Sequence, residues 1–285
     1  MKTSLIWGVA LVAFALGLFV LERLFPLRRA ARPLAGRLLV NLTFASIAFV
    51  TVSLTVRPMV QAILGWTGQA TFGLARLGAI PPILQPVLAF LLMDITFYWW
   101  HRANHRIQLL WRFHNIHHLD PDLDVSTAFR FHFGELAFSS VFRVAQIALI
   151  GPSLGSLFLY ETIFQTGTLF HHSNVRLPIT IERRLVHLIV TPRMHGIHHS
   201  QVRWETNSNY ATVFSFWDRL HRTLLLNIPH DLIDIGIPGY AEKRDNALGN
   251  ALLAPFRGQR DYWHRTGGSV PMRSVTKNKI RQLAP

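Results

Sequence analysis

The chain has 285 residues, of which 50% are hydrophobic and only 15% are charged, against about 25% charged residues in ordinary soluble domains. Its mean hydropathy of +0.25 indicates a membrane protein. The net charge is +14 with the histidines neutral. Because the basic residues are spread over loops and the tail, and no nucleic-acid-binding motif is present, anionic lipid headgroups are the better partner. Cysteine is absent, so disulfides, thiolate ligands and iron–sulfur clusters are excluded, and any metal must be held by histidine and carboxylate.

Four apolar stretches approach the length of about 20 residues that a membrane-spanning helix needs. The first three predict one span each. The fourth is cut by Gly151, Pro152 and Ser153 into halves of about 15–18 residues, which are short for a full crossing. The sequence therefore predicts about four spans, or three spans and a bent helical hairpin. The stretches are 5–25, 38–64, 83–100 and 136–170.

The first stretch fits either a cleaved signal peptide or a retained signal anchor. It runs directly into Glu22 and Arg23 with no clear small-residue cleavage site before them. We therefore expect a retained anchor.

Three histidine clusters, HRANH, HNIHH and HGIHH, are the most informative motifs of the chain. Residues i, i+3 and i+4 of a helix share one face, so each cluster presents its imidazoles in one direction. A lone histidine is usually a packed or surface residue, whereas three clusters at ligand spacing predict a nitrogen-rich site for iron, zinc or copper. The clustered residues are His101, His105, His114, His117, His118, His195, His198 and His199.

The charge pattern predicts on which side of the membrane the clusters lie. Four arginines between the first two stretches place that loop in the cytoplasm by the positive-inside rule. The third stretch returns to this side and ends just before His101, and the fourth leaves and comes back. We therefore expect all three clusters on the cytoplasmic face. The four arginines are Arg28, Arg29, Arg32 and Arg37.

Local signals predict helices for the ligands. Asp120 and Pro121 end the helix that carries HNIHH, because the residue before proline disfavours the α region. Thr191 and Pro192 begin the helix that carries HGIHH, with threonine as the N-cap and proline at the first helical position.

The number of histidines predicts two metal ions. Eight clustered histidines and His172, a ninth candidate, are too many for one ion, since structural zinc takes four ligands and catalytic zinc three ligands and water. A paired iron site with open positions can bind and cleave dioxygen and pass the oxidant to a lipid C–H bond. The same ligands accept zinc, which an isolated preparation could hold, but zinc has no redox chemistry.

The segments that carry these histidines resemble the fatty acid hydroxylase / sterol desaturase superfamily of integral membrane di-iron enzymes. The resemblance covers about 94–223, where histidine spacing, order and intervening residues all agree. It implies an all-α membrane bundle with a cytoplasmic helical cap that carries the clusters, and two iron ions bound by the eight clustered histidines and His172. The matching segments are DITFYWWHRANH, LLWRFHNIHH, TAFRFHFGE, FHHSN, TPRMHGIHH and NSNYATVFSFWDRLHRT.

Six further residues are candidates for orienting a metal-bound imidazole or for binding the metal themselves. Asp94 lies two helical turns before His101, and an acid inside an apolar span is costly and by default functional. The alternative for this acid is an ion pair with an arginine such as Arg102. For His132 we expect a role in orienting a metal-bound imidazole or in lining a pocket. The six residues are Asp94, His132, Glu135, His171, Asn174 and Asn209.

One segment departs from the family pattern. The family's closing segment reads WDRLFGT, whereas His221 and Arg222 replace phenylalanine and glycine in this chain. A glycine turn is lost, so we expect a different edge of the cap, with His221 as a surface residue.

The predicted function is O₂-dependent hydroxylation or desaturation of a lipid such as a fatty acyl chain or a sterol. The chain has no dinucleotide-binding fingerprint and no haem motif, so its electrons must come from an external ferredoxin or cytochrome/reductase system. No nucleic-acid partner is expected. The alternative is a non-catalytic or zinc-bound membrane protein of the same fold that binds or transports metal.

The predicted organisation is one membrane domain over 1–285 with a catalytic region at 94–223. The basic C-terminal extension at 240–285 is predicted to lie on the surface and is assigned no chemistry. The short N-terminus and the lack of a retention signal favour the bacterial inner membrane.

Overall fold

The computed structural model describes residues 2–69, 73–76, 78 and 80–273, and helices make up nearly all of their regular secondary structure. Among them no strand forms, and β pairing is limited to three isolated bridges. This confirms the all-α fold. The long helices are α1 Lys2–Leu24, α2 Leu34–Thr51, α3 Arg57–Gln69, α4 Gln85–Arg106, α5 Gln108–His118, α6 Phe133–Ile150 and α7 Leu154–His172. The short helices are α8 Ile179–Leu185, α9 Pro192–His198, α10 Arg203–Thr206, α11 Phe216–Leu220 and α12 Leu248–Leu253.

Four stretches of the described chain are long and apolar enough to cross a membrane. They are Ile6–Leu24, Leu34–Arg76, Pro82–Arg106 and Phe133–Ile150. Their side chains are mostly exposed, as expected for helices whose outer faces meet lipid. The fourth span is α6, and α7 is not among the four, so the predicted hairpin consists of one candidate span and a helix that returns to the histidines.

The break in the fourth stretch lies where the sequence predicts it. Gly151 ends α6 in the left-handed conformation with φ 65, which costs glycine little because it has no Cβ. Ser153 then caps α7 by accepting a hydrogen bond from the backbone N–H of Ser156.

The second span is not a uniform α-helix. A π-helical turn at Val52–Val56 joins α2 to α3, and such turns are frequent at functional sites. Val52 and Val56 line a large cavity described below.

The loop between α1 and α2 lies beside the chain that follows α7. Pro26 pairs with Val175 in an isolated bridge, and the N–H of Leu27 donates to the carbonyl of Asn174 at 2.7 Å. The two segments therefore lie at the same end of the bundle, as the predicted topology requires.

Residues 240–273 of the predicted C-terminal extension pack against the helices. Tyr240 and Ala251 are buried in an apolar cluster with Trp111, and Tyr262 and Trp263 pack against the same cluster. This part of the extension therefore covers the outer side of α5. The rest of the predicted extension, 274–285, lies outside the described residues.

Candidate metal centre

The fold brings all nine predicted ligands together in two groups. Within each group the candidate ligand atoms lie within 4.8 Å of one another. The first group is His101, His105, His114, His118 and His198, and the second is His117, His172, His195 and His199. Each HxxHH cluster contributes to both groups, so the two groups share helices α5 and α9.

A sharp bend between α4 and α5 turns the first two clusters toward each other. Ile107 is extended, with φ −90 and ψ 116, and separates the two helices. The ring centroids of His105 and His118 are 4.8 Å apart across this bend. The third cluster enters on α9, where Thr191 accepts from the N–H of Met194 and Pro192 occupies the first turn, as predicted.

Four imidazoles are oriented by hydrogen bonds from Nδ1. His114 bonds to the Glu135 carboxylate at 2.7 Å. His101, His172 and His198 bond instead to backbone carbonyls at 2.7, 2.8 and 2.7 Å. Each bond directs Nε2 into the centre of its group, and a metal-binding histidine typically uses its second nitrogen in this way.

A close approach between helices allows Glu135 to reach His114. Gly134 lies at the start of α6, and a Cβ at this position would lie 2.4 Å from the ring of Phe113 on α5. Glycine therefore lets the two helices approach closely enough for the carboxylate contact.

The Nε2 atoms within each group lie close enough together to bind one metal ion jointly. Nε2 of His172 lies 3.0 Å from Nε2 of His117 and 3.0 Å from that of His195. Nε2 of His198 lies 3.1 Å from that of His101. Since a neutral imidazole has one donor and one acceptor nitrogen, three converging Nε2 atoms cannot all be satisfied by one another.

Burial favours the neutral form of five of the candidate ligands. It lowers the pKa of His117, His118, His195 and His199 well below the ordinary value of 6.5, and neighbouring histidines lower it further. Burial also lowers the pKa of His198 to about 3. Neutral imidazole is the form that binds a metal ion.

The site fits two metal ions by its donor set. Buried ring nitrogens of six group members make no hydrogen bond, and for His105 and His118 both ring nitrogens are unpaired. Buried polar atoms without a partner are rare and call for an explanation such as an ion. An all-imidazole donor set suits iron and zinc. The six residues are His105, His114, His117, His118, His195 and His199.

Of the six additional candidates, Glu135 alone accepts a hydrogen bond from the side chain of a group member. Asp94 is buried, but among the described residues it forms no hydrogen bond or ion pair with a histidine or with Arg102. Its Oδ2 accepts from Trp217 Nε1 at 2.8 Å and from the N–H of Phe214 at 3.1 Å. It therefore ties α4 to α11 and to the segment just before it, and it supplies the acceptor that the indole N–H of Trp217 needs.

His132 and His171 lie outside the two groups. His132 caps α6 by accepting from the N–H of Gly134, and its Nε2 lies 3.0 Å from the carbonyl of Leu252. His171 packs against His195 with ring centroids 4.2 Å apart and lines the large cavity.

Asn174 and Asn209 act on the backbone. The Asn174 amide bonds to the N–H and the carbonyl of Arg28, at 3.0 and 2.8 Å, and so fixes the loop after α1. Asn209 adopts φ 56 and donates to the carbonyls of Met194 and Leu225. Its left-handed turn lies between Ser208 and Tyr210, whose carbonyls accept from His198 and His101.

Asp218 is a positioning residue that the sequence analysis did not single out. Its carboxylate accepts from the N–H groups of Tyr210 and Ala211, both at 2.8 Å, and from the hydroxyl of Thr223 at 2.6 Å. It therefore holds the turn whose carbonyl orients His101. The signal available in the sequence was the position of this acid in the WDRL part of WDRLHRT, which matches the family pattern.

Two cavities lie on different sides of the histidines. One is apolar, has a volume of about 680 Å³ and reaches His101, His114, His117, His172 and His195 between α2, the π-helical turn, α3, α4, α6 and α7. The other is polar, has a volume of about 890 Å³ and reaches only His105 among the nine candidate ligands. The centre therefore separates an apolar compartment from a polar one.

The region that carries this centre is matched by the fatty acid hydroxylase family model, over residues 86–223. This match confirms the resemblance drawn from the histidine motifs and begins slightly before the predicted region. No solved structure gives a significant match to the chain.

Curated relatives fall in the same superfamily. The chain is 31% identical over 166 residues to the ornithine lipid hydroxylase OlsE of Rhizobium tropici. The aligned region covers 57% of this chain and 48% of that protein. It is 31% identical over 136 residues to the alkylglycerol monooxygenase of Homo sapiens, covering 47% of this chain and 29% of that protein. It is 30% identical over 141 residues to a very-long-chain aldehyde decarbonylase of Oryza sativa subsp. indica, and this alignment covers 50% of this chain and 52% of that protein. The matches thus extend over about half or less of each relative.

Proposed function

We propose that this chain is a membrane-bound di-iron oxidoreductase that uses O₂ to hydroxylate a C–H bond of a lipid. The observation that carries the proposal is the position of two buried imidazole groups at one end of an apolar cavity between candidate membrane spans. Such a cavity admits an alkyl chain from the bilayer and excludes water from the reacting atoms. Relatives named as a lipid hydroxylase and a monooxygenase favour hydroxylation, and desaturation is the second outcome that the same ligands allow.

The histidines, their hydrogen-bond acceptors and the cavity wall would have different roles in the reaction. The nine histidines would hold two irons, and bound iron would supply the activation of dioxygen that no side chain can supply. Glu135 and three backbone carbonyls keep four imidazoles in the orientation that directs Nε2 inward. Phe131 and Leu136 on the cavity wall would hold an alkyl chain against the centre.

We propose that the external electron donor docks at the polar cavity on the cytoplasmic face of a bacterial inner membrane. Arg106, Arg203 and Arg260 line this cavity with a single acid, Asp261, so it would attract an acidic carrier. Trp111 lies between the cavity and the centre, with its ring 4.9 Å from that of His105.

Iron content tests the assignment. Detergent-purified protein expressed with added iron should contain about two irons per chain that are reduced together and react with O₂ in the presence of a lipid substrate. We expect His198→Ala to lose the iron of the first group and His117→Ala that of the second, with both variants still inserted in the membrane. The exposed His264→Ala should keep both irons and full turnover.

Two results would contradict the proposal. Only zinc bound after anaerobic iron reconstitution would remove the redox mechanism and leave a metal-binding protein. Full activity of His198→Ala would refute the ligand assignment.

A further inference from the structure

We propose that the apolar cavity contains a polar subsite, formed around Arg143 and Glu161, that binds the anionic headgroup of a single-chain lipid. This inference rests on the proposed function only for the statement that the bound lipid is oxidised. Its structural basis is a set of charged and amide side chains on a cavity wall that is mostly apolar away from the histidines. These side chains are Arg57, Gln61, Arg143, Glu161 and Gln165.

The subsite is remote from the histidines. Glu161 lies eleven residues before His172 on α7, or about 16 Å along the helix at 1.5 Å per residue. Arg143 lies eight residues after Glu135 on α6, or about 12 Å by the same measure. Two helices that both reach the centre therefore place the charged side chains at a similar depth in the cavity.

Charged side chains at this position are costly. Arg143 belongs to the candidate span Phe133–Ile150, and its side chain is 12% exposed. Ionisable residues within spans are rare, face cavities and commonly mark substrate pathways. A purely apolar alkyl chain would need no such groups on its wall.

The contacts of Arg143 leave it able to bind a further anion. Its Nη2 lies 3.2 Å from Glu161 Oε1, and its Nη1 donates to Gln146. A guanidinium has five N–H donors, so donors remain that can face the cavity.

The charge balance of the subsite favours an anion. Arg143 and Glu161 cancel, whereas Arg57 has no carboxylate within ion-pair distance among the residues that the structure describes. The net charge of the subsite is therefore positive. A carboxylate or phosphate headgroup would complete it, since arginine pairs with both groups in a forked geometry.

This placement predicts where the lipid is oxidised. A headgroup held at Arg143 with its chain extended along the cavity brings a carbon far from the headgroup to the histidines. We therefore expect oxidation deep in the alkyl chain and not at the carbons next to the headgroup.

The ion pair between Arg143 and Glu161 could instead serve only to brace α6 against α7. Binding experiments distinguish this structural role from headgroup binding. The measurement is equilibrium binding of tritiated hexadecanoate and of tritiated hexadecan-1-ol to metal-free protein in neutral detergent. The two probes share one chain and differ in headgroup charge. We expect the wild type to bind hexadecanoate about tenfold more tightly than the alcohol.

Two substitutions should act in opposite directions. Arg143→Gln should abolish the preference for hexadecanoate and leave binding of the alcohol unchanged. Glu161→Gln should strengthen hexadecanoate binding, because it removes the competing carboxylate. A brace would instead make both substitutions weaken the binding of both probes in parallel. Arg183→Gln, at an exposed position of α8, is the matched control and should change nothing.

Equal affinity of the wild type for the acid and the alcohol would overturn the proposal, as would weakened hexadecanoate binding in Glu161→Gln. If Arg143→Gln does not fold, Glu161→Gln still decides the question by the sign of its effect. Because the assay uses metal-free protein, a failed iron reconstitution would refute the proposed function without changing this result.

Discussion

At the scale of single residues, Glu135 is the only side-chain carboxylate that orients a candidate ligand among the described residues. Its Oε1 accepts from His114 Nδ1 at 2.7 Å, and both side chains are buried. A charged acceptor raises the basicity of the imidazole and fixes its tautomer.

Glu135→Gln should therefore weaken iron binding without removing a ligand. The amide keeps the size of the side chain but loses its charge, and substitutions of this kind typically cost about 10–100-fold in metal affinity. Iron retention against a graded chelator measures the effect. Asp231→Asn, at an exposed position, is the control, and unchanged retention in Glu135→Gln would show that the contact does not support the metal.

The histidines could be predicted from the sequence, whereas most of their hydrogen-bond partners could not. Spacing on a helix fixes which imidazoles share a face, and all nine predicted residues converge in the structure. The predicted partner Asp94 binds Trp217 and a backbone N–H. Helical spacing placed it near His101 along α4, but α11 packs against this acid from a distant part of the chain.

At the scale of elements, a buried ionic cluster joins α2 to the loop that follows HNIHH. Arg37 donates to Asp120 at 2.7 and 2.9 Å and to Asp124 at 2.8 Å, and Asn41 donates to Asp120 at 2.8 Å. Burial by itself would raise the pKa of Asp120, but Arg37 outweighs it and holds the pKa below its ordinary value. Arg37, which the sequence analysis used only to predict the membrane topology, therefore also anchors the chain after α5.

Arg37→Leu should destabilise the protein by roughly 3–5 kcal/mol, because it leaves buried carboxylates without their partner. Thermal unfolding in detergent measures the loss, with the exposed Arg29→Leu as the matched variant. Equal unfolding temperatures for the two variants would contradict a stabilising role of the cluster.

Of two breaks in the long apolar helices, one could be predicted from the sequence and the other could not. Glycine, proline and serine at 151–153 predict the break between α6 and α7 correctly, because cap chemistry is local. The π-helical turn at Val52–Val56 was not predicted. Its residues form an ordinary apolar run, and the shifted register becomes evident only in the packing around the cavity.

At the scale of the whole molecule, the histidines make stability depend on pH. Burial lowers the pKa of His117, His118, His195 and His199 below 6.5. The unfolded chain therefore binds more protons than the folded chain below this pH. Their contribution to stability is complete above about pH 6.5 and is lost as the pH falls.

The metal-free protein should accordingly unfold at a lower temperature at pH 5.5 than at pH 7.5. Each such histidine contributes up to about 1.4 kcal/mol per pH unit. Thermal unfolding at the two pH values measures the change. His187→Ala, at an exposed position, should show the same pH dependence as the wild type, and an unfolding temperature that rises on acidification would refute the explanation.

The arrangement of the centre between two compartments could not be derived from the sequence. Apolar length predicts the spans, and motif order predicts that the clusters meet. The polar cavity, however, depends on how α5 and the segment 240–273 pack over the centre. The sequence of that segment carries no periodic pattern that would indicate this packing.

Three of the four hydrogen bonds that orient the imidazoles end on carbonyls of the main chain, at Thr168, Ser208 and Tyr210. A carbonyl remains the same acceptor whichever side chain its residue carries. The orientation of these three imidazoles therefore depends on the backbone conformation and not on the side chains at the three acceptor positions. Related chains could exchange the residues at these three positions and keep the same centre, so aligned residue identities would not reveal the acceptors.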